Sequence, residues 1–281
     1  MKYADLHVHT VYSDGTSTPA EVVCCAKEKN LSCIAICDHD CIDGIAPSIA
    51  HSEEVQVEII PGVELTIIKD TKEIHLLGYF VEWKEKWFTE ILERVQRERV
   101  TRLDRMIEKL KSFDIEIDRE RVMRISGGKG SVGRLHLARA LVEVKAVSSI
   151  RVAFDRYIGD FRPCYVEDIG FSPKEAIDLI LRAKGVPVLA HPGVIEDDSL
   201  VKEFIKYGIR GIESFHPEHS QADREKYEKI SKEYGLLVTG GSDCHGLGKG
   251  RILMGSVKVP YDFVERLKEE AGRIKAARTS N

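Results

Sequence analysis

Short apolar runs rich in β-branched residues alternate along most of the chain with longer segments that carry apolar residues at helical spacing. The short runs predict seven strands, at residues 4–9, 33–37, 58–61, 74–79, 186–190, 211–214 and 236–239. The longer segments predict helices at residues 18–29, 173–184, 199–207 and 221–234. A repeated strand-then-helix order is typical of parallel βαβ units, so the sequence predicts an α/β fold.

The alternation stops between about residues 82 and 163, where a highly charged stretch carries apolar residues at helical spacing, at Leu92, Val95, Leu103, Met106, Ile107 and Leu110. This stretch has 19 Lys and Arg against 14 Asp and Glu, a net charge of +5, which leaves −9 for the rest of a chain whose total is −4. We therefore predict a helical insertion at residues 83–162, a lid or substrate domain, in a barrel formed by residues 1–82 and 163–281. Its positive charge indicates either a basic side toward an anionic ligand or an ordinary solvated helix surface.

Composition narrows the class of protein. Of the 281 residues, 43% are apolar and 31% are charged, a balance typical of a globular chain with a real core. The net charge of −4 argues against a protein that coats polyanions such as nucleic acids without specificity. No apolar run approaches the ~20 residues of a membrane-spanning helix, and the N-terminal segment has no apolar signal stretch. Seven cysteines without framework spacing indicate reduced thiols, so we expect a cytoplasmic protein. We also expect no membrane contact, and no obligate protein partner is evident from the sequence.

Imidazoles and carboxylates cluster where the predicted strands end. His7 and His9 close the first strand, and because successive strand side chains alternate, both lie on one face. Asp14 follows in a turn-type sequence that can fold its carboxylate back over the strand end. The later strands carry or end near His39, Glu64, His75, His191, Asp243 and His245. Active sites of α/β barrels lie where the strands end, so we expect all these side chains to meet in one cavity.

Six imidazoles and three carboxylates are too many for one metal ion, because about four to six ligands suffice. They fit two or three divalent ions that share bridging carboxylates. Mixed nitrogen and oxygen ligands favour Mn, Fe or Zn over Mg or Ca, which prefer oxygen. Separate, individually hydrogen-bonded histidines would not explain why six of the ten histidines fall at predicted strand ends.

The order of these residues resembles the polymerase and histidinol phosphatase (PHP) family of metal-dependent phosphoesterases. The matching motifs are His7-x-His9, Asp14, His39, Glu64, His75, His191 and Asp243-x-His245. The resemblance implies a distorted seven-stranded β/α barrel, with a small helical insertion, around a trinuclear metal cluster. It would place His7, His9, Glu64 and Asp243 on one metal, Glu64, His75 and His191 on a second, and Asp14, His39 and His245 on a third.

Within the family, the chain more closely resembles the branch that acts on nucleotides and short RNA. Members of that branch carry a helical insertion after the fourth strand and a Gly-Arg-x-His-x-Ala-Arg motif, which stands here at residues 133–139. A planar guanidinium can hold a phosphate by two parallel hydrogen bonds. We therefore expect Arg134, which follows a glycine-rich loop, to bind the substrate phosphate. Arg139, one helical turn later, is expected to be structural or at the surface.

Two further histidines, His216 and His219, follow the predicted strand at residues 211–214. Either one could contact the phosphate or act as a general acid, and the sequence does not say which. His51 and His136 lie outside the strand-end set and are expected on a surface or a helix.

Together these residues predict a hydrolase that acts on phosphate ester bonds. Clustered divalent ions lower the pKa of a bound water, and the resulting metal-bound hydroxide would attack phosphorus in line. The resemblance implies small phosphorylated substrates, namely nucleoside 3′,5′-bisphosphates or monophosphates, or short RNA trimmed from 5′ to 3′. The alternative substrates are a sugar phosphate, a cyclic phosphate or histidinol phosphate, which related branches hydrolyse with the same machinery.

Two other classes of protein share parts of this pattern. Metal-dependent amidohydrolases also begin with a His-x-His strand, but they commonly need a bridging carboxylated lysine. None of the strand ends presents a lysine, and Glu64 stands where a bridging ligand is needed. A non-catalytic metal-binding module would resemble the PHP domains attached to some polymerases. Inactive copies usually lose ligands, whereas all nine positions are filled here.

Overall fold

A mixed eight-stranded sheet curls into a nearly closed barrel. The computed structural model describes residues 1–70, 72–128, 130–167, 170–195, 197–248 and 250–279. The strands are β1 (Tyr3–Val8), β2 (Cys33–Ile36), β3 (Glu58–Lys69), β4 (Lys72–Tyr79), β5 (Val186–Leu189), β6 (Gly211–Phe215), β7 (Leu237–Gly240) and β8 (Val259–Pro260). They are hydrogen-bonded in the order β7-β6-β5-β4-β3-β2-β1-β8. A parallel bridge between Val8 and Cys244, beyond β7, joins the two sides of the sheet, so that β1 to β7 form the predicted seven-stranded barrel.

One strand runs against the others. β1, β2 and β3 are parallel, and so are β5, β6 and β7, whereas β4 is antiparallel to both of its neighbours. Two residues separate β3 from β4, and so short a connection can only join antiparallel strands. His75, in the first half of β4, therefore pairs with Thr66 of β3 and comes to the rim where the other strands end. β4 is thus an exception to the parallel pattern expected from the sequence.

Helices cover the barrel and build the insertion. In the described ranges they are α1 (Pro19–Glu28), α2 (Ile45–Val55), α3 (Lys86–Lys111), α4 (Arg119–Ile125), α5 (Arg134–Glu143), α6 (Ile150–Ala153), α7 (Pro173–Arg182), α8 (Asp198–Tyr207), α9 (Gln221–Tyr234) and α10 (Asp262–Thr279). A π-helical turn, Phe154–Ile158, continues α6. Three helices begin with a reciprocal cap between a hydroxyl and an acid three residues later, at Thr18, Ser172 and Ser220. The four predicted helices are confirmed, and α2 and α10 are additional to them.

Buried apolar side chains form three clusters. The largest packs the sheet against α1, α2, α7 and α8, and the second packs it against α10. The buried residues of the third lie between Leu103 and Cys164, and all of them except Cys164 are within the predicted insertion. The long helix α3 joins them, because Phe88 and Leu92 belong to the barrel cluster whereas Leu103 and Met106 belong to the insertion cluster. The first turns of α3 therefore pack with the barrel.

Most of the cysteines are buried in the fold. All seven cysteines lie in described residues as free thiols, and five of them are buried. Burial raises the pKa of the Cys37 thiol, which points toward the carbonyl oxygen of Leu6 at 3.6 Å. No helix in the described part of the chain is long and apolar enough to cross a membrane.

Candidate metal centre

Nine side chains meet at the rim of the barrel. They are the nine that the sequence predicts as ligands, His7, His9, Asp14, His39, Glu64, His75, His191, Asp243 and His245. The ring centroids of His9 and His245 are 4.1 Å apart, and those of His39 and His75 are 4.7 Å apart. Imidazoles that are more than two hundred residues apart in the sequence, such as His9 and His245, therefore lie in one group.

Glu64 of β3 lies at the centre of this group and is fully buried. Its two carboxylate oxygens face five imidazole nitrogens, with Oε2 3.1 Å from His7 Nε2, 3.2 Å from His9 Nε2 and 3.3 Å from His39 Nδ1, and Oε1 3.1 Å from both His75 Nδ1 and His191 Nε2. A carboxylate surrounded in this way is suited to bridge neighbouring metal ions.

The ligand atoms fall into three groups within which every pair lies within 4.8 Å. The groups are His7, His9, Glu64 and Asp243; His39, Glu64 and His75; and His9, Asp14, His39 and His245. The first coincides with one grouping implied by the family resemblance. In the second, His39 stands where the resemblance has His191, although His191 Nε2 lies 3.4 Å from His75 Nδ1. The assignment of each ligand to one ion stays a prediction.

Metal ions fit this donor set. Imidazole nitrogens and carboxylate oxygens are ligands of Zn, Fe and Mn. Within the described residues, His9 Nε2, Asp14 Oδ1 and His39 Nδ1 are buried without a hydrogen-bond partner of good geometry, and all three residues belong to the groups above. Buried polar atoms are destabilising unless they are bonded, so lone pairs directed at one another indicate cations between them. The cluster can therefore hold divalent metals.

Burial and charge act in opposite directions on the pKa values of the cluster. Burial alone would raise the pKa of Glu64, but three surrounding imidazoles hold it well below its usual range. Burial would lower the pKa of His7, and three carboxylates instead raise it. At His39 and His191 burial dominates and lowers the pKa. Neutral imidazoles and ionised carboxylates are the forms that bind metal.

Two residues of the cluster have strained backbone. φ is 27° at His191 and 48° at Asp243, in a region that residues other than glycine rarely adopt. The His191 N–H donates to Glu213 Oε2 over 2.9 Å, which holds that conformation. Gly241, two residues before Asp243, lies so close to the backbone of His7 that a side chain would overlap it. Strain of this kind is concentrated at functional sites, where surrounding contacts over-determine the geometry.

Two buried acids that the sequence pattern did not reveal as functional support the cluster. Glu213 of β6 lies with Oε1 3.1 Å from His7 Nδ1, which directs the other ring nitrogen of His7 to the centre. Asp38 accepts hydrogen bonds from the Thr10 N–H over 2.7 Å and the Ser13 hydroxyl over 2.6 Å, which fixes the loop after β1. An acid within an otherwise apolar strand, as in Gly-Ile-Glu-Ser-Phe, is the signal that could have revealed Glu213.

The cluster opens into a cavity of about 330 Å³, within the usual range of small-molecule sites. Besides cluster residues, the cavity is lined by the arginines Arg99, Arg102 and Arg134 and by the apolar side chains Leu135, Ile150, Phe154 and Val194. The cavity therefore combines imidazoles and carboxylates of the cluster with guanidinium groups and an apolar portion.

Arg134 begins α5 and reaches this cavity, as predicted for a substrate-binding residue. Its Nη2 donates to Glu73 Oε2 over 2.8 Å, and its Nη1 donates to Asp160 Oδ1 over 2.5 Å. The guanidinium lies 5.7 Å from the ring centroid of Phe154 and 5.5 Å from that of Tyr165. Burial would raise the pKa of Glu73, but Arg134 holds it well below its usual range. The role of Arg134 toward substrate stays a prediction.

The two histidines after β6 differ in what they can do. His216 lines the cavity, and its Nδ1 accepts a backbone N–H two residues on over 3.2 Å. The proton of the neutral ring is then on Nε2, which lies 3.6 Å from Asp243 Oδ2. His219 donates from Nδ1 to Ser214 O over 2.9 Å and accepts at Nε2 from the Gly193 N–H over 3.1 Å. Both nitrogens of His219 are occupied by backbone, so the geometry favours His216 for the predicted contact.

The remaining three residues singled out in the sequence lie outside the nine-residue cluster, although the charge of Asp14 acts on both His136 and Arg139. His51 is exposed on α2. His136 is a buried helix residue in α5, where its Nδ1 accepts the Gly133 N–H over 3.0 Å. Arg139, later in α5, is half-buried, which agrees with a structural role.

Comparison with known proteins identifies the family. The profile of the PHP domain matches residues 5–145, half of the chain and six of the nine cluster residues. This chain belongs to the PHP family. A 3′,5′-nucleoside bisphosphate phosphatase of Chromobacterium violaceum is 30% identical over 89% of this PHP chain and 90% of the relative. The 5′-3′ exoribonuclease Rnm of Escherichia coli is 32% identical over 86% and 84%, and a phosphoribosyl 1,2-cyclic phosphate 1,2-diphosphodiesterase of Eggerthella lenta is 28% identical over 86% and 94%.

Two solved structures share the PHP fold seen here. A protein of Bifidobacterium adolescentis assigned as a metal-dependent phosphoesterase has a TM-score of 0.88 at 30% identity, over 95% of this chain and 96% of that one. A protein of Chromobacterium violaceum described as an amidohydrolase, with bound sulfate, has a TM-score of 0.83 at 30% identity, over 92% and 91%. The predicted PHP-type barrel and metal-dependent phosphoesterase are thus confirmed at the level of the family.

Proposed function

We propose that this PHP protein hydrolyses phosphate esters of nucleotides, either a nucleoside 3′,5′-bisphosphate or monophosphate or the 5′ end of short RNA. The observation that carries the proposal is the cavity, where the cluster, the guanidinium of Arg134 and the apolar side chains around Phe154 line one space. A nucleotide has a matching phosphate and a matching flat, largely apolar base. The relatives named bisphosphate phosphatase and exoribonuclease support the same class.

Two or three divalent ions, of Mn, Fe or Zn, are proposed to occupy the cluster. Ions bound there supply a lowered pKa for bound water and positive charge for phosphate oxygens. The chain itself supplies the geometry, because Glu64 spans the groups of ligands and Glu213 orients His7 from behind. The donor set that this fixes is rigid before substrate arrives, which is what preorganised catalysis requires.

The phosphate is proposed to be held between the cluster and Arg134, whose planar guanidinium suits two phosphate oxygens. His216 is proposed to donate a hydrogen bond from Nε2 to the phosphate. Its Nε2 carries the proton of the neutral ring, is buried, and has no hydrogen-bond partner within the residues that the structure describes. His219 has no such atom to offer, because both of its nitrogens bond to backbone.

Residues 83–162 are proposed to act as the substrate domain of a barrel made of residues 1–82 and 163–281. All three arginines that line the cavity come from this segment, as does Phe154. Residues 82–163 carry a net charge of +5, from 19 Lys and Arg against 14 Asp and Glu, and this charge suits an anionic ligand. The free thiols fit the cytoplasmic location expected from the sequence, which stays a prediction.

The proposal is tested by phosphate release from a panel of esters, with the protein reconstituted with Mn. The panel contains adenosine 3′,5′-bisphosphate, AMP, a 5′-phosphorylated RNA oligomer, a cyclic ribose phosphate and histidinol phosphate. Selective turnover of the nucleotides is the expected result. Turnover of only the cyclic or histidinol esters would overturn the substrate class, and the Eggerthella lenta relative makes the cyclic ester the informative competitor.

Replacing Arg134 by Ala is expected to raise KM for adenosine 3′,5′-bisphosphate about 10- to 100-fold, since charge-assisted hydrogen bonds contribute about 1.5–3 kcal/mol each. Arg134→Lys keeps the charge without the fork and should recover only part of the affinity. Steady-state kinetics measure both. Arg121→Ala is the control, because Arg121 lies in the same segment and pairs with Glu143 at the surface. An unchanged KM in Arg134→Ala would exclude Arg134 from the phosphate site.

Replacing Phe154 by Ala is expected to weaken the binding of nucleotides specifically. Stacking of a base on an aromatic ring contributes about 1–3 kcal/mol, so KM for AMP should rise roughly 5- to 100-fold while KM for ribose 5-phosphate changes little. Parallel kinetics with both esters measure the difference. An equal loss on both would show that Phe154 acts only through Arg134, whose guanidinium lies 5.7 Å from its ring centroid.

A further inference from the structure

Glu73 connects two parts of the molecule that are far apart in sequence. It lies on β4 two residues before His75, so both side chains are on one face of the strand, and both line the cavity. Its two carboxylate oxygens have different partners: Oε1 is 3.3 Å from His75 Nε2, whereas Oε2 accepts a hydrogen bond from Arg134 Nη2 over 2.8 Å.

The contact with His75 determines how that ring faces the cluster. Glu73 accepts at Oε1, so Nε2 of His75 is the protonated nitrogen. The lone pair is then on Nδ1, which lies 3.1 Å from Glu64 Oε1 and 3.4 Å from His191 Nε2. A carboxylate behind a metal-binding imidazole fixes its tautomer and raises its basicity.

The insertion holds Glu73 in that place. Arg102 of α3 has its Nη2 3.6 Å from Glu73 Oε2, on the same oxygen that Arg134 bonds. Arg102 is itself anchored, because its Nε donates to the Val166 carbonyl over 2.8 Å. Both guanidinium groups lie near the ring of Tyr165, at 5.7 Å for Arg102 and 5.5 Å for Arg134. The carboxylate is thus fixed from the insertion side by two cations.

We propose that Glu73 is a positioning residue through which the arginines of the insertion, Arg102 and Arg134, hold His75 in its metal-binding orientation. This inference rests on the proposed function, because it takes the cluster to be a metal centre. It goes beyond that function by making metal retention depend on side chains outside the ligand set. Loss of Glu73 should free the His75 ring, and loss of Arg134 should loosen Glu73 to a smaller degree.

The test measures metal retention, not only turnover. Protein loaded with Mn is dialysed against a chelator, and the Mn that remains is determined by elemental analysis over time. Glu73→Ala is expected to weaken Mn retention about 10- to 100-fold, the usual effect of removing a carboxylate behind a metal-bound histidine. Glu73→Gln keeps a side-chain acceptor for His75 and should lose less. Arg134→Ala should fall between Glu73→Gln and the unmodified protein.

Asp160→Asn is the matched control, because Asp160 is the other carboxylate on Arg134 and contacts no cluster residue among the described ones. It should retain Mn as the unmodified protein does. A second readout is the Mn concentration that half-activates the enzyme, which should rise in Glu73→Ala and to a smaller degree in Glu73→Gln. A merely structural defect would lower kcat at every Mn concentration without shifting the concentration that half-activates the enzyme.

The possible outcomes distinguish a failure of the inference about Glu73 from a failure of the proposed function. Normal Mn retention in both Glu73 variants would overturn the inference, and so would an equal loss in Asp160→Asn. If Glu73→Ala does not fold, Glu73→Gln and Arg134→Ala carry the test. Absence of turnover on every ester by the unmodified protein, with Mn bound, would overturn the proposed function but leave the retention measurement valid.

Discussion

Turnover by a Glu64→Gln variant is expected to fall on the order of 10³-fold, about 4 kcal/mol of transition-state stabilisation, and its bound metal should fall with it. Glu64 is fully buried, and its two oxygens lie 3.1–3.3 Å from five imidazole nitrogens. Glutamine preserves the shape but replaces one oxygen by an NH₂ group that cannot bind a cation. It also removes the negative charge that balances neighbouring ions. Glu64, His9 and His39 each belong to two of the three groups of ligand atoms, and Glu64 is the carboxylate among them.

Metal content by elemental analysis and kcat on the best ester of the panel measure this prediction. Glu58→Gln is the matched control, because Glu58 begins the same strand, β3, at the opposite end from the cluster and pairs there with Lys268. It should leave both quantities near those of the unmodified protein. Full metal content with full turnover in Glu64→Gln would contradict a bridging role for this carboxylate.

The sequence predicted the nine-residue cluster because strand geometry is local. Alternation places His7 and His9 on one face, and strand ends converge in any α/β barrel. The direction of β4 followed from a short connection, yet the strand-helix pattern alone did not reveal it. His75 lies in the first half of β4, so the reversal of this strand is what brings it to the rim where the other strands end.

The supporting residues could not be predicted, because they depend on pairings between distant segments. Glu213 meets His7 across 206 positions, and nothing near either residue in the sequence indicates the contact. The choice between His216 and His219 likewise depended on which backbone groups each ring meets after folding. Local patterns thus predicted which residues gather at the rim, whereas the contacts that orient them required the three-dimensional arrangement.

Arg99→Ala is expected to destabilise the protein by about 3–5 kcal/mol, because it leaves a buried carboxylate without its cation. Arg99 of α3 donates to Asp40 Oδ2 from Nε over 2.9 Å and from Nη2 over 2.6 Å. Asp40 is fully buried, has a φ of 45° and follows His39 directly. Its Oδ1 accepts the Thr66 N–H over 2.9 Å, so the pair connects the insertion to the loop after β2 and to strand β3. At roughly 2–4 °C per kcal/mol, Tm should fall by about 10 °C.

Thermal unfolding of the metal-loaded protein measures this shift. Arg97→Ala is the matched control on the same helix, because Arg97 is 69% exposed and its ion pair with Glu93 spans 3.9 Å at the surface, so Tm should hardly change. A double variant, Arg99→Met with Asp40→Asn, removes both charges and keeps an acceptor for the Thr66 N–H. It should be more stable than Arg99→Ala, since the loss arises from the charge left unpaired and not from the pair itself. A double variant less stable than the single one would show instead that the two charges contribute net stability of their own.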